Sequence, residues 1–126
     1  KGGGAYLNGQ PIECNHNTKI STMVVSTGMT YDRDVNPDNN LDNITRVCTR
    51  VRGIRRTGSA AIDLSYVAAG YFDIYWELDL KLWDIAAGQL ILSEAGGIME
   101  YLPDHRGHSI IAGSRESLDT FRHLVK

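Results

Sequence analysis

Apolar and polar positions change their period several times along the chain, and each change marks an element. Ala5-Tyr6-Leu7 and Gln10-Pro11-Ile12 flank Asn8-Gly9, a pair favoured in two-residue type I′ hairpin turns because both residues tolerate positive φ. A hairpin is expected at the start. Thr22 to Thr27 holds the unbroken apolar run Met23-Val24-Val25, which has the composition of a strand buried on both faces and central in a sheet. Leu41, Ile44, Val47, Cys48 and Val51 then recur at three- and four-residue spacing, the apolar face of a helix ending near Arg50. Pro37, with Asn36 as N-cap, is expected to open it.

A strand over Ile54 to Thr57, the turn Gly58-Ser59 and a helix over Ala60 to Ala69 follow, with Gly70 as the stop. Phe72 to Glu77 alternates and is aromatic, as a strand would be. Trp83 to Ala95 reads as a helix ended by Gly96-Gly97, and strands are expected near Ile98 to Leu102 and Ser109 to Ala112. Ser114 to Lys126, with a serine N-cap and Leu118, Phe121 and Leu124 at three-residue spacing, reads as a terminal amphipathic helix. Strands alternating with helices predict an α/β fold, a mixed and mostly parallel sheet flanked by helices.

Composition narrows the function classes. A chain of 126 residues fits one domain and buries about 65 to 70% of its unfolded surface. Its 42% hydrophobic and 22% charged residues are those of a globular protein. Thirteen Lys and Arg against fifteen Asp and Glu give a net charge of −2, so nucleic acid is not the expected partner. The one dense basic run, Arg50, Arg52, Arg55 and Arg56, reads as a solvated strand edge. No apolar stretch approaches the roughly 20 residues needed to span a bilayer. Cys14 and Cys48 lack metal-ligand spacing, so a reducing cytoplasm is the expected compartment. Lys1-Gly-Gly-Gly, with no initiator Met and a strand-like run directly after it, reads as the interior of a longer chain.

Ligands of open α/β sheets gather at strand ends. Two segments qualify. Arg55-Arg56-Thr57-Gly58-Ser59-Ala60 is a glycine turn between strand and helix, and it serves equally as a plain N-cap. Glu77-Leu-Asp-Leu-Lys-Leu-Trp-Asp84 places carboxylates at 77, 79 and 84 around Lys81, a set suited to Mg²⁺ beside a substrate phosphate. Asp84 could equally be a helix-dipole acid, worth about 0.3 to 1 kcal/mol. His16, His105, His108 and His123 read as exposed loop residues without partners, and Trp76, Trp83 and the tyrosines as packing residues.

The motifs Trp83-Asp-Ile-Ala-Ala-Gly88 and Ser93-Glu-Ala-Gly-Gly97 resemble the C-terminal signature of the inositol monophosphatase family of Mg²⁺-dependent phosphatases. The likeness extends back through Tyr75-Trp-Glu77, Tyr66-Val-Ala-Ala-Gly70 and Gly58-Ser-Ala-Ala-Ile-Asp63 to Gly2-Gly-Gly-Ala-Tyr-Leu-Asn-Gly-Gln-Pro-Ile12. It implies that residues 1–126 are the C-terminal domain of the family's αβαβα fold, without its N-terminal metal-binding half. It also implies hydrolysis of inositol monophosphate, or a similar small polyol or sugar phosphate, by metal-activated water. By position in the motifs, Asp84 would bind Mg²⁺ and lie near the substrate, Glu77 would accept hydrogen bonds from substrate hydroxyls, and Gly58, Ser59 and Ala60 would form a substrate-contacting turn. A homodimer is implied for the intact protein.

Two residues depart from the pattern. Asp79 stands where a small residue, often Gly, is common, and is expected to point to solvent; Leu82 stands where bacterial members often have Pro. The family's acidic pair, DPxDGT motif and Thr/Asp pair do not occur here, so the chain alone is expected to be inactive. Fructose 1,6-bisphosphate and 3′-phosphoadenosine 5′-phosphate are alternative substrates. A non-catalytic binding module in a transcription complex is the alternative from another class.

Overall fold

A computed structural model describes residues 1–126. The chain opens with a hairpin of β1 (Tyr6–Leu7) and β2 (Gln10–Pro11). Asn8 and Gly9 both take positive φ there, at 50° and 80°, as a type I′ turn requires. The main sheet has five strands: β3 (Val24–Thr27), β4 (Gly53–Arg55), β5 (Ile74–Leu80), β6 (Ile98–Tyr101) and β7 (His108–Gly113). Their order is β4-β3-β5-β7-β6.

Strand β3 runs parallel to both β4 and β5, whereas β7 runs antiparallel to both β5 and β6. Four strands therefore point one way, and only β7 reverses. The sheet is mixed, as the alternation of strands and helices predicts. The centre belongs to β5 rather than β3, although β3 is paired on both sides and Val25, Ser26 and Thr27 are buried.

Helices α2 (Ala60–Ala68) and α3 (Leu82–Glu94) cover one face of the sheet. Leu64, Val67, Ile85 and Leu92 pack there against Tyr75, Leu80, Ile110 and Ala112. The other face carries α1 (Leu41–Cys48) and α4 (Arg115–Phe121), whose Val47, Leu118 and Phe121 meet Met23, Val25, Ile74, Trp76 and Ile111. Neighbouring residues of β5 and β7 thus serve opposite layers, the period-2 alternation of a strand. The α2–α3 contact is close because residue 88 is glycine: a Cβ there would lie 2.7 Å from Leu64 Cβ. No helix is long and apolar enough to cross a membrane.

The start of α1 differs from the expected one. Asn36 and Pro37 lie in a connecting segment after the turn at residues 31–35, and the helix begins at Leu41 with Asn40 as N-cap in the left-handed region, φ 72°. Asn40 makes no capping bond because its buried amide works elsewhere. Nδ2 donates to Thr27 Oγ1 at 2.9 Å and to the Gly28 carbonyl at 2.7 Å. Oδ1 accepts from Trp76 Nε1–H at 2.7 Å and from Asn43 Nδ2 at 3.2 Å. One side chain therefore ties the end of β3 and the middle of β5 to α1.

Packing assignments also divide. Trp76 and Tyr75 are fully buried, as expected, but Trp83 is 80% exposed and the other five tyrosines are exposed as well. Ile85, Gly88 and Leu92 form the inner side of α3 and Trp83 lies off it; because α3 has no apolar stripe, periodicity does not identify the inner side.

Replacing Asn40 by Ala leaves the Trp76 indole N–H buried without an acceptor and forces alanine to a positive φ. Urea denaturation should show a loss of about 3 to 4 kcal/mol. Asn40→Gly, which keeps the conformation and loses only the amide, should cost about 1 kcal/mol less.

Candidate active site

A cleft of about 610 Å³ opens at the C-terminal ends of the parallel strands β3, β4 and β5. All five residues picked out in the sequence, Gly58, Ser59, Ala60, Glu77 and Asp84, line it. They arrive from three places: the β4–α2 turn, the outer half of β5 and the first turn of α3.

Gly58 turns the chain at φ 85°, a conformation that disfavours a side chain. Ser59 then caps α2, its Oγ accepting from Ile62 N–H at 3.3 Å. The plain N-cap reading of Ser59 is thus realised, and the cleft receives the backbone of the helix start, whose first N–H groups have no partner within the helix.

Glu77 is half-buried and its carboxylate accepts from the Tyr75 hydroxyl. It lies directly over Gly28, where a Cβ would collide with the carboxylate. Burial raises its pKa above the ordinary range; the Tyr75 hydrogen bond and the Arg56 charge oppose the shift, while the Asp63 and Asp84 charges reinforce it. Arg56, read as a solvated edge residue, lines the cleft.

Asp84 accepts from the Lys81 backbone N–H through Oδ2 at 3.0 Å, so it does serve the helix start. Its other oxygen makes no hydrogen bond within the chain. One carboxylate suits part of a Mg²⁺ shell, since this ion keeps several waters and binds through one or two carboxylates plus substrate phosphate. The chain has no group of three His, Cys, Asp or Glu side chains able to hold a metal. The donor set fits a single contribution to a metal site and no more.

Beneath the cleft Asp63 is only 1% exposed, and its Oδ1 has no hydrogen-bond partner. Burial pushes its pKa up to about 6, with the Thr57 and Ser26 hydroxyls opposing.

Two expectations about charged loops are corrected. His105 is not a free loop residue: its side chain is 13% exposed and Nδ1 lies 2.6 Å from Asp38 Oδ1. His16 likewise meets Glu116 at 2.9 Å, and His108 starts β7 with its ring against Tyr101. Asp79 does not point freely to solvent, because its Oδ2 lies 3.4 Å from Arg106 Nη1. It takes φ 57°, which explains why a glycine suits this position. The loop after β3, residues Gly28 to Asp32, also lines the cleft. Its signal in the sequence is its place at a parallel strand end.

The sequence matches the model of the inositol monophosphatase family over residues 1–120. The chain belongs to this family. It is 45% identical over 97 residues to an inositol-1-monophosphatase of Rhizobium meliloti, covering 77% of this chain and 36% of that protein. It is 38% identical over 121 residues to the Nus factor SuhB of Pseudomonas aeruginosa, covering 90% of this chain and 44% of that one. The structure of the inositol monophosphatase from Anabaena superimposes with a TM-score of 0.90 at 35% identity, over 98% of this chain and 52% of that one. This inositol monophosphatase family chain therefore spans about half, or less, of the length of these relatives. The family is one of phosphatases and is generally metal-dependent.

For this family member the buried Asp63 sets a pH dependence of stability. Its folded pKa, about 6, lies above the ordinary 3.8, so its contribution is fully present below pH 3.8 and is lost as pH rises through 6. Two pKa units correspond to about 3 kcal/mol. In urea melts Asp63→Asn should gain on the wild type by about that amount between pH 4 and pH 7.

Proposed function

We propose that residues 1–126 form the C-terminal α/β domain of a Mg²⁺-dependent phosphate monoesterase that hydrolyses inositol monophosphate or a similar small polyol phosphate. The observation that carries this reading is the convergence of the Gly58–Ala60 turn, Glu77 and Asp84 on one cleft. The outer face of α2 and α3 supports the domain assignment. Ile62, Tyr66, Leu82, Trp83, Leu90 and Ile91 are exposed on it, and α3 carries no charge between Asp84 and Glu94. Such a face suits burial against further protein rather than water. A cytoplasmic homodimer is the assembly that goes with this reading.

Within the cleft Glu77, held by the Tyr75 hydroxyl, accepts hydrogen bonds from polyol hydroxyls. The backbone at Gly58 to Ala60 approaches the polyol closely because residue 58 has no side chain. Together they orient the phosphate ester, which is the positional share of the rate enhancement. Asp84 contributes one carboxylate to Mg²⁺, which when bound supplies Lewis-acid stabilisation of charge on the transferring phosphoryl group. The remaining ligands of the metal site would come from outside these residues, so the 126-residue chain alone should release no phosphate.

The relative named Nus factor SuhB favours a second reading, a binding module in a transcription complex that works without catalysis. The two separate on the metal residue, because catalysis requires Asp84 and binding to transcription factors does not.

In protein expressed from the complete reading frame, Asp84→Asn should lower phosphate release from inositol 1-phosphate by on the order of 10²- to 10³-fold. Glu77→Gln should mainly raise KM. Unchanged turnover in Asp84→Asn would sink the metal assignment. A panel including fructose 1,6-bisphosphate and 3′-phosphoadenosine 5′-phosphate, followed by colorimetric phosphate release, identifies the substrate.

A further inference from the structure

The cleft has an excess of acid. Asp32, Glu77, Asp79 and Asp84 line it against Arg56 and Lys81, although a phosphate monoester is itself an anion. Two of these carboxylates, Asp32 and Asp79, belong to a separate ionic cluster built around one residue of the β6–β7 connection. Arg106 grips Asp32 with both arms of its guanidinium, Nη2 at 2.5 Å from Oδ1 and Nη1 at 2.8 Å from Oδ2. Nη1 also lies 3.4 Å from Asp79 Oδ2. The Arg106 backbone N–H donates to Asp38 Oδ2 at 3.2 Å, beside the His105–Asp38 contact.

Each part of this cluster is specifically built. Asp79 occupies a left-handed conformation that glycine adopts more easily, so its carboxylate is retained at a cost in backbone energy. Its backbone N–H donates to Ser109 Oγ at 3.0 Å, and Ser109 Oγ donates to the Arg106 carbonyl at 2.7 Å, which fixes the loop that carries the arginine. The Arg106 hydrogen bonds hold the Asp32 carboxyl at about 2, so this acid stays ionised and paired at any physiological pH.

We propose that Arg106 is a charge-compensating residue of the substrate cleft: by pairing with Asp32 and Asp79 it offsets one of the two negative charges that these wall carboxylates would set against a phosphorylated substrate. The proposal rests on the phosphate monoesterase reading for its substrate. It adds a residue far from the motifs that act on the polyol and the metal. Arg106 touches neither substrate nor reacting atoms and acts through the two aspartates, so it governs binding rather than the chemical step.

The test uses protein from the complete reading frame at saturating Mg²⁺, with inositol 1-phosphate as substrate. Arg106→Gln should raise KM about tenfold, the effect of one additional net negative charge near an anion, and leave kcat within about twofold. Adding Asp32→Asn and Asp79→Asn to Arg106→Gln should bring KM back to the wild-type value or below it, because the carboxylates that the arginine offsets are then gone. An unchanged KM in Arg106→Gln overturns the proposal. So does a raised KM that the two asparagines fail to restore, which would assign Arg106 to loop geometry instead.

If Arg106→Gln does not fold, Asp79→Asn in the wild-type background should lower KM, and an unchanged or higher KM overturns the charge effect. Calorimetric titration with inorganic phosphate measures the same compensation without turnover and should show about tenfold weaker binding in Arg106→Gln. A wild type that releases no phosphate defeats the functional reading, while the phosphate titration still decides the role of Arg106.

Discussion

The buried amide of Asn40 sets the geometry on which the cleft depends. A strand that ends inside a protein leaves carbonyls and hydroxyls that must find partners, and here a single side chain satisfies the Gly28 carbonyl, the Thr27 hydroxyl and the Trp76 indole together. The end of β3 and the middle of β5 are thereby held in fixed relation. Directly after these two points come the Gly28 backbone and the Glu77 carboxylate, whose contact tolerates no Cβ at residue 28. The left-handed backbone of Asn40 and the lost helix cap are the local costs of this arrangement. Asparagine adopts that conformation more easily than most residues and can donate and accept at once, so it suits the position on both counts.

Above this hub the site is an exercise in managing negative charge. Burial acts on Glu77 and Asp63 in the same direction, disfavouring their ionised forms, and the answers differ. Glu77 receives a hydroxyl and a nearby arginine, and so remains useful as an acceptor. Asp63 Oδ1 receives no hydrogen bond and lies below the cleft floor. At the rim, where solvent is near, acids are instead paired with Arg106 across segments distant in the chain. Desolvation decides the chemistry of the floor, and ion pairing that of the wall.

What could be read without coordinates follows from the range of the interactions involved. The β1–β2 turn, the cap at Ser59, the cap at Ser114 and the extents of α2 and α3 rest on neighbours within a few residues, and their patterns were visible. So were Gly58, Ser59, Ala60, Glu77 and Asp84 as strand-end residues. The start of α1 lies later than Asn36 and Pro37 suggest, because the tertiary demand on Asn40 overrides their sound local signal. Arg106, and the pairings of Asp79 and His105, escape the sequence for a related reason. Their partners lie across loops, Asp38 being 67 residues from His105 and Asp32 74 from Arg106, and no local pattern encodes such a pairing. The exposure of Trp83 is not legible because a helix without an apolar stripe does not state which side is inner.

That last ambiguity is informative in itself. A helix with one apolar stripe has one partner, whereas α3 already packs Ile85, Gly88 and Leu92 onto α2 and the sheet and still presents Leu82, Trp83, Leu90 and Ile91 outward. In water this outer row would gain nothing from its apolar character, and surface positions of helices normally carry charge for that reason. Gly88 sharpens the point, since it lets α2 and α3 approach closely enough to form one continuous layer with two apolar sides. The cleft opens beside this layer, with Trp83 on both the cleft and the outer face. Trp83 and Asp84 are neighbours in the first turn of α3, so the apolar outer face and the carboxylate side of the cleft meet along one helix edge.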